Sequence, residues 1–145
     1  LRLSLVGSEM CIRDRGMRVS LACPAPYRPD AEIMAWAEQT GRFTCVEGVE
    51  EAIADADVVY TDVWASMGME AEVQARRAAF QGYQVNDEVM RLAKPDAIVQ
   101  HCLPAHRGEE ITDEIMESHA GEIIDEAENR LHAQKAVLVL LMERS

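Results

Sequence analysis

The chain has 145 residues, with 26 acidic side chains against 14 basic ones and a formal net charge of −12. That length suits one domain with a core of its own, and the sign of the charge argues against nucleic acid, whose phosphates need clustered Lys and Arg, and against an anionic membrane surface. A hydrophobic share of 48% with 28% charged residues is ordinary for a soluble globular protein, and no apolar run approaches the roughly 20 residues of a spanning helix.

The cysteines Cys11, Cys23, Cys45 and Cys102 are scattered and form no CxxC pair. Reduced thiols in a cytoplasmic protein fit them better than a disulfide framework or a zinc module. The opening Leu1 to Arg15, LRLSLVGSEMCIRDR, has no period-2 alternation, no helical stripe and no secretory-signal layout. Its part Leu5 to Arg15 resembles the in-frame translation of a transposase adapter used in sequencing libraries. Residues 1–15 are therefore expected to be a non-native or disordered segment, and residues 16–145 to carry the fold.

From Gly16 onward the pattern is regular. Arg18 to Ala22 reads as a strand, followed by the proline-rich turn Cys23 to Asp30. A helix is expected over Ala31 to Thr40, with Gly41 just past its end. Phe43 to Val46 reads as a strand and Glu50 to Ala56 as a short acidic helix. Asp57 to Thr61, DVVYT, reads as a strand buried on both faces. After the loop Asp62 to Gly68 comes a helix to about Phe80. A short extended piece, Tyr83 to Val85, leads to a helix that Asn86 can cap and that Lys94-Pro95 ends. Ala97 to Gln100 reads as a buried strand, and Thr112 caps another short helix. Ile123 and Ile124 are expected to form a last short strand before a long helix from Glu126 to Met142.

Strands alternating with helices give the fold class: α/β, a three-layer parallel-sheet (Rossmann-like) domain truncated at its N-terminus. Neither a GxGxxG turn nor a GxxxxGK[ST] loop is present, so function has to come from other loops.

Two loops follow the two most apolar strands, where ligands of parallel sheets bind. The first is Asp62-Val63-Trp64-Ala65-Ser66-Met67-Gly68 and the second His101-Cys102-Leu103-Pro104-Ala105-His106-Arg107-Gly108. The Asp62 carboxylate can pair with a substrate ammonium, and the helix start at Ser66 to Gly68 offers backbone N–H groups to an anion. Each residue also has a plain structural reading: Asp62 as a turn former, Ser66 as an N-cap, Met67 as packing, Cys102 as a small buried hydrophobe. His101, Cys102 and His106 lack a fourth ligand for tetrahedral zinc. A Cys102–His101 nucleophile pair is disfavoured because adjacent strand residues point to opposite faces. Arg130, read as lying near the start of the last helix, would oppose the helix dipole there, which favours a functional reason for it.

HCLPAHRG resembles the signature of ornithine carbamoyltransferases, DVWASMG resembles that family's SMG loop, and EAENRLHAQKA (126–136) resembles the start of its final helix. The turn CPAPYRPD also resembles the segment before the second helix of that family's ornithine domain. The resemblance covers about Gly16 to the C-terminus. It implies a two-domain subunit assembled as a cytoplasmic homotrimer of arginine metabolism, with carbamoyl phosphate and L-ornithine as substrates and no metal or organic cofactor. By the same resemblance Asp62, Ser66 and Met67 hold ornithine, Cys102 and Leu103 line the junction with the carbamoyl group, and Arg130 contacts the carbamoyl-phosphate side. Cys102 and Asp62 are the catalytic candidates.

The family's Ser-Thr-Arg-Thr-Arg loop, its ornithine-binding Asn and the opening strand of its second domain do not occur here. The chain is therefore expected to be about the last 130 residues of a longer enzyme and to be inactive alone. Two alternatives remain: a carbamoyltransferase for another amine, such as putrescine or an acylated ornithine, and a non-catalytic amino-acid-binding module. Ala136 to Met142, AVLVLLM, is apolar all round, which demands burial on all sides. Without a first domain to pack on, that surface is expected to be exposed and to drive association.

Overall fold

The computed structural model describes residues 16–65 and 72–143. Residues 1–15, with the expected foreign segment, and Ser66, Met67 and Gly68 lie outside them.

Strand β1 (Val19–Ala22) pairs in parallel with β2 (Phe43–Val46), Val19 opposite Phe43 and Ala22 opposite Val46. A single 3-10 turn at Ala25–Tyr27 fills the proline-rich segment, fastened by the Cys23 thiol donating to the Tyr27 carbonyl at 3.0 Å. Helix α1 (Ala31–Glu38) starts where the Asp30 carboxylate accepts the Glu32 N–H at 2.8 Å. It ends before Gly41, whose φ of +63° is a conformation that glycine adopts freely. Helix α2 (Val49–Ile53) buries Val49 and Ile53, one turn apart on one face.

Strand β3 (Val58–Thr61) pairs in parallel with β4 (Ile98–His101), Val58 opposite Ile98 and Thr61 opposite His101. Lys94 pairs with Asp57 at 2.5 Å just ahead of both strands. Between them come α3 (Val73–Ala79) and α4 (Asp87–Met90). The Asn86 side chain accepts the Val89 N–H at 3.0 Å, as the sequence foretells. The extended piece at Tyr83 to Val85 contributes only one isolated bridge, Val85 to Ile111. Helix α5 (Asp113–Ser118) is capped by Thr112.

Helix α6 runs from Ala120 to Met142, so the strand expected at Ile123 and Ile124 does not exist. Two adjacent isoleucines suit either geometry, and tertiary contacts decide. Ile123 is fully buried and Ile124 exposed, while Glu122 between the helix start and the sheet accepts the Val99 N–H of β4 at 2.9 Å. A helix carboxylate thus satisfies a backbone donor of β4 that would otherwise go unpaired. Arg130 accordingly sits mid-helix, not near a helix start, and the helix dipole gives no reason for a cation there or against one.

The architecture is α/β with parallel strands. Among the described residues the strands form two separate parallel pairs, β1-β2 and β3-β4, instead of one sheet. Val58 is exposed at 45%, and DVVYT is buried on alternate residues, Val59 and Thr61, not on both faces. Each pair has its own core. Ile53, Val59, Val85, Val99, Ile111, Ile115 and Ile123 form the one under β3-β4, and Leu21, Cys23 and Phe80 form the other. Burying each such aliphatic side chain is worth about 1.5–3 kcal/mol.

Candidate functional site

Because Thr61 and His101 are direct partners in the parallel register, the next residues on the two strands, Asp62 and Cys102, leave the sheet side by side. The Cys102 thiol donates to Asp62 Oδ1 at 3.1 Å, and the same oxygen accepts the Val63 N–H at 2.7 Å. Burial, then the bond to Asp62 and its charge, push the Cys102 thiol up to about 12. At neutral pH it is a protonated donor and no nucleophile.

The loop after β4 is braced from below. His101 is fully buried, and its Nδ1 accepts the Leu103 N–H at 2.9 Å. A ring nitrogen that accepts carries no proton, so Nε2 bears the hydrogen and donates to Glu110 Oε1 at 3.1 Å. Glu110, also fully buried, accepts the His106 N–H at 2.5 Å on the same oxygen. These bonds hold Leu103 at a φ of +51°, a left-handed conformation that costs a non-glycine residue about 1–3 kcal/mol. Gly108, at φ +83°, closes the loop by donating to the Ile111 carbonyl at 2.8 Å.

Cys102, Leu103 and Pro104 form one wall of an open groove of about 690 Å³, and Ala127, Arg130, Leu131 and Gln134 of α6 form the other. Arg130 is exposed and has no ion-pair partner among the described residues. Asp62 lies on the far side of the thiol, lining a smaller cleft with Trp64, Phe80 and Tyr83. The structure thus joins Asp62 to the Cys102 thiol and sets Cys102, Leu103 and Arg130 along one groove. Arg107, in contrast, is engaged by Asp113 at 2.9 Å and Glu117 at 2.6 Å.

The metal set weighed from the sequence, His101 with Cys102 and His106, is not assembled: His101 turns to Glu110 and Cys102 to Asp62. A different trio, His106, Glu109 and Glu110, has one potential ligand atom each within 4.8 Å of the others, with both Glu109 oxygens already taken by Arg77. The sequence reading also missed Glu110, Tyr60 and Glu126. The Tyr60 hydroxyl donates to Glu126 Oε1 at 2.6 Å across 66 residues. Only the adjacency of Glu110 to the apolar Ile111 hinted at a buried acid.

Comparison with known proteins gives the same neighbourhood throughout. The domain family described as aspartate/ornithine carbamoyltransferase, Asp/Orn binding domain, matches residues 6–141. The ornithine carbamoyltransferase of Geobacter sulfurreducens is 55% identical over 130 residues, 88% of this chain and 43% of that protein. Among solved structures, the anabolic ornithine carbamoyltransferase of Campylobacter jejuni superposes with a TM-score of 0.84 at 38% identity, covering 90% of this chain and 45% of that one. The ornithine carbamoyltransferase of Pyrococcus furiosus gives 0.77 at 50% identity, covering 86% and 41%. The chain spans less than half the length of these relatives.

Proposed function

The chain belongs to the aspartate/ornithine carbamoyltransferase family, and on that premise we propose that it is the ornithine-binding part of an ornithine carbamoyltransferase. The parent reaction joins the δ-amine of L-ornithine to the carbamoyl carbon of carbamoyl phosphate. A C–N bond forms, the tetrahedral intermediate collapses, the C–O bond to phosphate breaks, and L-citrulline and phosphate leave. The amine must first shed a proton, since an alkylamine with a pKa of about 10.4 is mostly ammonium at neutral pH.

The single observation that carries this reading is the contact of Cys102 with Asp62 at the head of a groove walled by Arg130. Asp62 supplies a carboxylate for a substrate amino group. Ser66 and Met67, beyond the described residues, are assigned the rest of the amino acid. Cys102, as a protonated thiol, and the Leu103 backbone line the junction where amine meets carbamoyl carbon. Arg130 meets the carbamoyl-phosphate side, stabilising charge that grows on oxygen during attack. Catalysis then rests on positioning and electrostatics, with no covalent enzyme intermediate. We assign the parent to a trimer of the cytoplasm on the family resemblance alone. Among the described residues no helix is long and apolar enough to cross a membrane.

Two assays test the proposal. The chain alone, given both substrates, is expected to form no citrulline above background. Residues 16–145 fused behind the first part of the Geobacter sulfurreducens relative are expected to form it, and to prefer L-ornithine over putrescine and acetylated ornithine. A fusion that folds and favours either other amine would move the assignment to a neighbouring carbamoyltransferase.

A further inference from the structure

Among the described residues two sheet edges are bare. In the parallel ladder of β1 and β2, Val19 and Cys23 donate their N–H groups toward β2, to the Arg42 carbonyl at 2.8 Å and the Val46 carbonyl at 3.1 Å. Successive strand residues point to opposite sides of the strand, so the N–H and C=O groups of Ser20 and Ala22 face away from β2. In the second pair the Ile98 N–H donates to the Asp57 carbonyl at 3.1 Å, which turns the backbone groups of Val58 and Tyr60 away from β4. On β4 the outward Val99 N–H is taken up by Glu122. The outward groups of Ser20, Ala22, Val58 and Tyr60 have no such partner among the described residues. Ala22 is nevertheless only 1% exposed, and a buried backbone N–H or C=O left unpaired is costly. The two edges are neighbours, because Ala22 at the end of β1 and Thr61 at the end of β3 line one narrow cleft with Asp62 and Trp64.

We infer that the space between the Ser20–Ala22 edge of β1 and the Val58–Tyr60 edge of β3 is the seat of one added strand, parallel to both, which joins the two pairs into a single sheet. Each of the four described strands already has one partner, so a strand from a second copy of the chain cannot fill both edges. The occupant is an extended segment of the parent subunit. This chain covers only 43% of the Geobacter sulfurreducens relative, and the remainder of such a subunit is long enough to supply it. Residues 16–145 read as the last part of the subunit, which places the occupant ahead of them. Its carboxyl end opens beside Asp62, where β1 and β3 lead away from each other, the position at which parallel sheets bind ligands. The inference uses the family membership and not the roles assigned to Asp62 and Cys102.

The test is amide hydrogen exchange of the intact 145-residue chain, resolved by residue. It is run with and without overlapping synthetic peptides of about ten residues, taken from the Geobacter sulfurreducens relative ahead of its matched part. In the chain alone, Ser20, Ala22, Val58 and Tyr60 are expected to exchange faster than Leu21 and Val59, which face their ladder partners. One peptide is expected to bind one to one and to slow all four amides by about tenfold or more. The same peptide N-methylated at a single central residue loses a ladder bond and is expected to bind about tenfold more weakly. Binding by no peptide, protection of one edge only, or equal binding of the N-methylated form overturns the inference. Protection of the same four amides that grows with chain concentration and needs no peptide also overturns it, because a second copy is then the occupant.

Discussion

From Ala120 to Arg130, helix α6 is tied to β4 and β3, whereas from Val137 to Met142 its apolar side chains stand exposed. In the first stretch Glu122 reaches the Val99 N–H, Ile123 is fully buried, Glu126 meets Tyr60 and Arg130 walls the groove. In the second, six apolar side chains stand in a row, each more than half exposed, up to 77% at Met142. The polar half is the anchored half. Hydrophobicity alone does not locate a core; a facing surface does, and the apolar side chains of the second half of α6 remain more than half exposed. The segment AVLVLLM, apolar all round and expected from its sequence to be exposed in this chain, has Val137 to Met142 exposed in the structure.

The sharpest way to break this contrast is Ile123→Ala. A fully buried isoleucine is expected to cost about 2–5 kcal/mol when truncated, read by urea unfolding, whereas Leu138→Ala should cost no more than about 0.5 kcal/mol. Equal losses would mean that the distal half is packed after all. Next comes Glu110→Ala, which strands the His101 Nε2–H and the His106 N–H beneath the groove. The expected loss is about 2–3 kcal/mol, with the Cys102 loop exchanging its amide hydrogens faster.

A pH titration probes the anchored half differently. Tyr60 and Cys102 both ionise at higher pH in the folded chain than their ordinary values of 10.0 and 9.0. Above pH 9 the unfolded chain therefore loses protons that the folded one keeps, and stability must fall as pH rises. The thermal midpoint is expected to drop from pH 9 upward, and less steeply in Tyr60→Phe. The smallest effect on stability belongs to Leu138→Glu with Leu141→Glu, both on exposed positions. That pair should leave unfolding unchanged but reduce self-association in sedimentation and binding of a hydrophobic dye.

Much of the fold was legible because its signals are local. Asn86 and Thr112 cap the helices they precede, Gly41 follows its helix, and β2 spans the residues read as strand. The misreadings were nonlocal. Ile123-Ile124 has strand composition, and only contact with β4 makes it helix. The exposure of Val58 depends on what packs over that face of β3, which no run of five residues encodes. The same divide runs through the site. Asp62 and Cys102 announced themselves in loops after apolar strands. Tyr60 with Glu126, 66 residues apart, and His101 with Glu110 are pairings made by the fold.

The central claim is that Asp62, beside Cys102, meets the acceptor amine. Its most direct test is kcat/KM for L-ornithine in the fusion of residues 16–145 behind the relative's first part, with and without Asp62→Asn. Asparagine keeps the Oδ1 that Val63 and Cys102 address and removes only the charge. A drop of about 10- to 100-fold, the worth of one charge-assisted hydrogen bond, with KM for carbamoyl phosphate unchanged, is the result predicted. An Asp62→Asn fusion as active on ornithine as its parent would contradict it.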